Sequence, residues 1–137
     1  MLRYKIENIL KSQNLSLTKS RKKVLRCFLK ESKPLNLSQI RLLVGDMDRV
    51  TLFRVLNIFE MKNIIHRIRL ENENTLFALC KDECAGDKHV HNHIHFQCEI
   101  CLDVSCLSID NFPVLKLPNY TFNNIDINVT GLCVNCN

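Results

Sequence analysis

Arg49-Val-Thr-Leu-Phe-Arg-Val-Leu-Asn-Ile-Phe-Glu-Met-Lys62, then Asn63, then Ile64-Ile-His-Arg-Ile-Arg-Leu70, changes its period midway, and that change decides the fold of the first half of the chain. Leu52, Val55, Leu56 and Phe59 recur at the i, i+3, i+4, i+7 spacing that puts four apolar side chains on one face of a helix. After Asn63, a residue that tolerates the left-handed conformation that stops a helix, the period falls to two. Ile64, His66, Ile68 and Leu70 then share one face of a strand, and Ile65, Arg67 and Arg69 the other. The helix presents Arg54 opposite its apolar stripe, flanked by Val50, Phe53 and Asn57. An Arg, an Asn and a large aromatic on one exposed face suit a major groove, where Arg pairs with guanine, Asn with adenine, and apolar groups meet thymine methyls. The plainer alternative is that another part of the fold covers Phe53.

Upstream, three more helices are predicted. Leu2, Ile6, Ile9 and Leu10 form an amphipathic stripe, broken from Asn14 to Ser20. A second helix begins near Ser20, with Val24, Leu25, Phe28 and Leu29 as its buried side. Its first turn carries Arg21, Lys22 and Lys23, where the helix dipole disfavours cations unless an anion is near. Pro34 ends it. Asn36 and Gln39 make a capping box for a short helix from Leu37 to Val44, with Ile40, Leu43 and Val44 inward. Gly45 caps its end, and Asp46 or Asp48 starts the next helix. Downstream, Glu71 to Thr75 is turn-like and Leu76 to Cys80 forms a return strand. Helices followed by a basic hairpin make a winged helix-turn-helix.

The 137 residues divide by charge. Residues 1–80 hold 16 Lys/Arg and 7 Asp/Glu, whereas residues 81–137 hold 3 and 7. The histidines (66, 89, 91, 93 and 95) and six of the eight cysteines lie in or just before the acidic part. A basic half suits phosphate backbone, and an acidic half rich in ligands suits metal. The expected organisation is α+β: a DNA-binding domain over 1–82, a polar hinge over 83–90, and a small α/β zinc-containing domain over 91–137. Strands are expected around 92–98, 103–108 and 124–131, and Pro113 and Pro118 argue against a long helix between them. The start, Met-Leu-Arg-Tyr-Lys-Ile-Glu, breaks its apolar residues with charges and does not read as a signal peptide. No apolar run approaches the roughly 20 residues of a membrane span. A cytoplasmic location with reduced cysteines is the expectation, so metal binding outranks a disulfide framework.

Two Cys-x-x-Cys motifs, Cys98/Cys101 and Cys133/Cys136, have the spacing of a closed tetrathiolate zinc site, structural rather than catalytic. Alternating His91, His93 and His95 run into the first of them. On that strand His95 is expected on the outward face with His91 and His93, and Ile94 and Phe96 toward the core.

Three blocks together carry a family resemblance. Arg49-Val-Thr-Leu-Phe-Arg-Val-Leu-Asn57, His95-Phe-Gln-Cys-Glu-Ile-Cys101 and Gly131-Leu-Cys-Val-Asn-Cys136 resemble, in order, the signatures of the ferric uptake regulator family, with Leu17-Thr18-x-x-Arg21 as a weaker early block. The resemblance implies a dimeric, metal-sensing transcription factor with an N-terminal winged helix-turn-helix domain and residues 91–137 as its dimerisation domain, and its ligand pattern is most similar to the zinc uptake regulator branch. It implies a sensory site of His66, Cys80 and His91, with Cys106 standing where the branch has glutamate. His93 and His95 match the family's further site, which His89, Glu83, Asp87 or Cys84 would complete. The first-domain histidine and hairpin carboxylate typical of the iron and peroxide sensors are absent, with Asn36 and Ala78 in those regions. The usual tyrosine is replaced by Phe53, and the family's dimerisation helix is cut to the segment after Ile109.

The chemistry of the ligands agrees, since thiolates and imidazoles select zinc over metals held by oxygen. His66 and Cys80 share a face only if the hairpin loop has an odd number of residues. The expected function is a zinc-responsive repressor, not an enzyme. By resemblance it acts as a homodimer on AT-rich inverted repeats in double-stranded DNA before zinc uptake genes. Arg21, Arg49, Thr51, Phe53, Arg54 and Asn57 are its DNA contacts. No membrane or small-molecule substrate is expected. The alternative is an iron- or peroxide-responsive regulator, with iron or manganese at the sensory site. A metallohydrolase using His89, His91 and His93 lacks a carboxylate base, and a zinc-storage protein leaves the basic winged helix unexplained.

Overall fold

The computed structural model describes residues 1–70, 75–80, 93–108, 115–122 and 125–137. The chain divides into two compact units, Met1–His89 and Val90–Asn137. The expected hinge at 83–90, with His89 and its neighbour His91, lies outside the described residues, as do residues 109–114.

The first unit opens with α1 (Leu2–Ser12), which buries Ile6 and Leu10. The Thr18 side chain accepts the Arg21 N–H and starts α2 (Lys19–Glu31), whose Val24, Leu25, Cys27 and Phe28 are buried. Strand β1 (Leu35–Asn36) leads directly into α3 (Leu37–Val44). The capping box forms as expected: the Asn36 side chain accepts from Gln39 N–H at 2.8 Å, and the Gln39 side chain accepts from Asn36 N–H at 2.9 Å. Gly45 follows at φ +67°, a conformation that side chains with a Cβ rarely adopt. Asp48, not Asp46, caps α4 (Arg49–Met61), and Asn63 closes it at φ 60°.

Leu52, Val55, Leu56 and Phe59 face inward from α4 and meet Phe28, Leu25 and Ile40 in one apolar cluster. Leu43 departs from expectation: Ile40 and Val44 are buried, but Leu43 is 43% exposed. A helix of eight residues has one narrow contact stripe, and Leu43 falls beside it.

Strands β2 (Ile65–Arg69) and β3 (Thr75–Leu79) form the wing. Arg69 pairs with Thr75, so residues 70–74 intervene, an odd number. The sheet order β1-β3-β2 contains a third strand with no sequence signal, because β1 is only two residues long.

The second unit is built on β4 (His93–Cys98), flanked by β5 (Val104–Ser108) and β6 (Asn128–Gly131). Its order is β5-β4-β6, antiparallel on the β5 side and parallel on the β6 side. Among its described residues there is no helix. Residues 115–122 run as turn and extended chain, with Asn119 at φ 64°, which agrees with the proline content.

Phe59 is fully buried while Leu42 on α3 is 83% exposed. Phe59→Ala is therefore expected to lower unfolding stability by about 3–5 kcal/mol. Leu42→Ala should stay within about 0.5 kcal/mol. Urea titrations followed by helical circular dichroism measure both; equal losses would contradict the packing.

Candidate metal centres

Cys98 is the last residue of β4, and its carbonyl accepts the Leu102 N–H at 3.1 Å as the chain turns toward β5. The turn places Leu102 at φ 62° and leaves Cys101 exposed. On the other side of β4, Gly131 at the end of β6 lies opposite Cys98 in register. A 2.8 Å bond from Glu99 N–H to the Gly131 carbonyl locks that end. The chain then turns at once through Cys133 and Cys136, where Cys136 N–H donates to the Cys133 carbonyl at 3.1 Å.

The result brings together all four cysteines expected at one site. Their sulfurs lie within 4.8 Å of one another, and Cys101 and Cys133 are 3.8 Å apart. A tetrahedron of thiolates with metal–sulfur bonds of about 2.3 Å has edges of about 3.8 Å. The electrostatics fit a cation at the centre. Cys98 is fully buried, yet the backbone N–H of Cys133, and then that of Cys101, pulls its thiol down to about 6. Cys136 moves the other way, pushed up to about 12 by the neighbouring Cys133 and Cys98 sulfurs. Four thiolates so close repel each other strongly, and a divalent cation removes the conflict.

The wing carries a second pair. His66 lies opposite Ala78 in the β2–β3 ladder, and Cys80, two residues on from Ala78, shares its face. His66 Nδ1 and Cys80 Sγ are 3.4 Å apart and half-buried. The parity that the odd loop demanded is met.

The second unit carries a third pair, in which one expectation fails. His95 lies opposite Cys106 on β5, and their ligand atoms are within 4.8 Å. It is not on an outward face: His95 is 7% exposed, whereas Ile94 and Phe96 are half-buried. Alternation separates the two faces of a strand without saying which is covered. β4 is central, and His95 sits between Cys106 on one neighbour and Asn128 on the other. Burial pushes the imidazole pKa down, against a hydrogen bond with the Asn128 side chain and the charge of Asp126. The neutral ring so favoured is the form that binds metal. Asn128 and Asp126 had no sequence signal, because the parallel pairing that brings β6 to His95 is not legible locally. His91 and His89 lie outside the described residues, and for His93 the backbone alone is described, as part of β4.

On α4, Arg49, Arg54 and Asn57 are exposed, with Val50 at 57% and Phe53 at 40%. Thr51 and Arg21 each make hydrogen bonds within the chain. The Thr51 hydroxyl donates to Asp48 at 2.5 Å and its N–H donates to the same carboxylate at 3.1 Å, holding the Asp48 carboxyl below its usual range. Arg21 donates to the Ser16 carbonyl at 3.1 Å and the Ser16 hydroxyl at 2.7 Å, so it ties down the turn before α2. No helix among the described residues is long and apolar enough to cross a membrane.

This arrangement has clear relatives. The chain is 32% identical over 137 residues to a ferric uptake regulation protein of Staphylococcus epidermidis, covering 93% of this chain and 91% of that one. Its fold is similar to that of a zinc uptake regulator solved in complex with zinc and DNA, at a TM-score of 0.69 and 20% identity over 98% of this chain and 92% of that one. The ferric uptake regulator of Vibrio cholerae gives a TM-score of 0.61 at 22% identity, over 93% of this chain and 98% of that one. Residues 12–130 match the sequence pattern of the ferric uptake regulator family. The chain belongs to that family, and is a metal-responsive transcriptional regulator.

Proposed function

We propose that the protein is a zinc-responsive repressor that binds operator DNA as a homodimer and controls zinc uptake genes. The observation that carries this reading is the His66–Cys80 pair at 3.4 Å on the wing of a DNA-binding unit. A thiolate and an imidazole are ligands for zinc rather than for an oxygen-preferring metal. Cys106, paired with His95 in the second unit, adds a further thiolate and imidazole of the same kind. In this reading Cys98, Cys101, Cys133 and Cys136 hold a structural zinc. The regulatory zinc is held by His66, Cys80, His91 and Cys106. When bound there, the ion supplies a link between the units. A link that favours the DNA-competent arrangement shifts the population toward it.

Dimerisation is supported by the second unit's surface. Among the described residues β5 and β6 are the outer strands, and Leu107 and Val129 on them are 44% and 37% exposed. Exposed apolar side chains on outer strands invite association, and a homodimer would cover them. The name of the Staphylococcus epidermidis relative favours an iron-responsive regulator of the same family as the second reading. Aligned zinc and iron titrations of the metal-depleted protein separate the two.

Three outcomes are expected. Cys98→Ser should lose about one zinc per chain and lower the melting temperature. Unchanged zinc content by elemental analysis together with an unchanged melting curve would remove the structural site. His66→Ala should weaken zinc binding at the regulatory site by at least about tenfold and abolish the zinc-dependent mobility shift on DNA. A shift driven by iron in the wild type, and not by zinc, would favour the second reading. Finally, Arg54→Ala should cost about 1–3 kcal/mol on a specific duplex and far less on random DNA. Equal loss on both would rule out base readout.

A further inference from the structure

We propose that Arg67 is a positioning residue that couples the regulatory metal to the recognition helix through Glu60, and is not a phosphate contact. The inference rests on the zinc-responsive reading above.

A basic residue on the wing of a winged helix is ordinarily counted toward the phosphate backbone. Here Arg67 is held from two sides. Its Nε meets Glu60 Oε2 at 2.5 Å, and its guanidinium lies 5.3 Å from the centroid of the Phe77 ring. Phe77 is 5% exposed, lies opposite Arg67 in the β2–β3 ladder, and lies opposite Leu35 on β1. A cation over a buried aromatic face, with a carboxylate at its edge, has a restricted orientation. Glu60 is three residues after Asn57 and seven after Phe53, so it continues the face of α4 that presents the base-reading side chains. Asn57, Glu60 and Arg67 line one open groove.

The neighbour of Arg67 is His66, which points to the opposite face of β2 toward Cys80. One strand therefore carries a metal ligand on one face and the tether to the recognition helix on the other. A change in the position of β2 when His66 and Cys80 are drawn onto a metal is passed to α4 through Arg67 and Glu60. Charge makes the alternative distinguishable. A phosphate contact adds to the salt dependence of binding, at about 0.9 in the slope of log K against log salt for each contact. A tether leaves that slope unchanged. Glu60 adds a negative charge to the DNA-facing helix, so simple electrostatics predicts that Glu60→Gln tightens binding, and coupling predicts the reverse.

The experiment uses the full chain and a duplex recovered by the zinc-loaded wild type from a random-sequence pool. DNA affinity is measured with only the tetrathiolate ion bound and again with excess zinc, for wild type, Glu60→Gln, Arg67→Ala and the double variant. Salt slopes, zinc content and circular dichroism are recorded for each. Glu60→Gln keeps the shape of the side chain and the stacking of Arg67, so it tests the tether even where Arg67→Ala loosens the wing. The expected result is that each single variant lowers the zinc-induced gain in affinity by about two- to fivefold, with the salt slope unchanged. The double variant should be no worse than either single one, because both remove the same link. The proposal is overturned if both single variants keep the wild-type gain, or if Arg67→Ala keeps the gain and lowers the salt slope by about 0.9. Failure of the wild type to select any duplex, or to gain affinity with zinc, would overturn the underlying functional reading instead.

Discussion

Four sulfurs within 4.8 Å of one another cannot all carry charge without a cation among them, and the second unit depends on how that conflict is resolved. The backbone commits first. N–H groups of Cys133 and Cys101 lower the pKa of the Cys98 thiol, while the neighbouring sulfurs raise that of Cys136. A unit this small, with a three-stranded sheet and no helix among its described residues, buries too little apolar surface to hold itself together comfortably. A cation held by Cys98, Cys101, Cys133 and Cys136 would also pin the β4–β5 turn to the segment after β6.

The wing obeys a different constraint, which is parity. His66 and Cys80 are 14 positions apart, and the ladder sums their partners so that both face the same way. One residue more or fewer between Arg69 and Thr75 would turn Cys80 away and leave the imidazole without its thiol. The same alternation puts Arg67 on the reverse face, against Phe77 and Glu60. The two faces of one short strand then serve two purposes without sharing a side chain.

Much of this was legible in the residues. The α4 stripe, the Asn36–Gln39 capping box, the two Cys-x-x-Cys motifs and the odd hairpin loop are local patterns, and each is fixed by a spacing of a few residues. What escaped was non-local or depended on which side was covered. β1 is too short to have a period. Leu43 fits the apolar pattern of α3 but lies at its margin. His95 alternates with Ile94 and Phe96 as expected, yet its face is the more covered one, because β6 returns parallel to β4 and brings Asn128 alongside. The hydrogen bonds from Arg21 to Ser16 and from Thr51 to Asp48 also had no signal of their own in the sequence.

The pairing of Cys101 with Cys133 spans 32 positions, and β6 reaches β4 only as a parallel neighbour. On a ribosome this imposes an order of events. The wing and its helices close over short stretches of chain, so the first unit can assemble while the rest is still being made. The four cysteines cannot come together until Cys136 has emerged, and until then Cys98 and Cys101 stand as an open dithiol. A newly made chain therefore completes the short-range contacts of its first unit before the long-range contacts of its second.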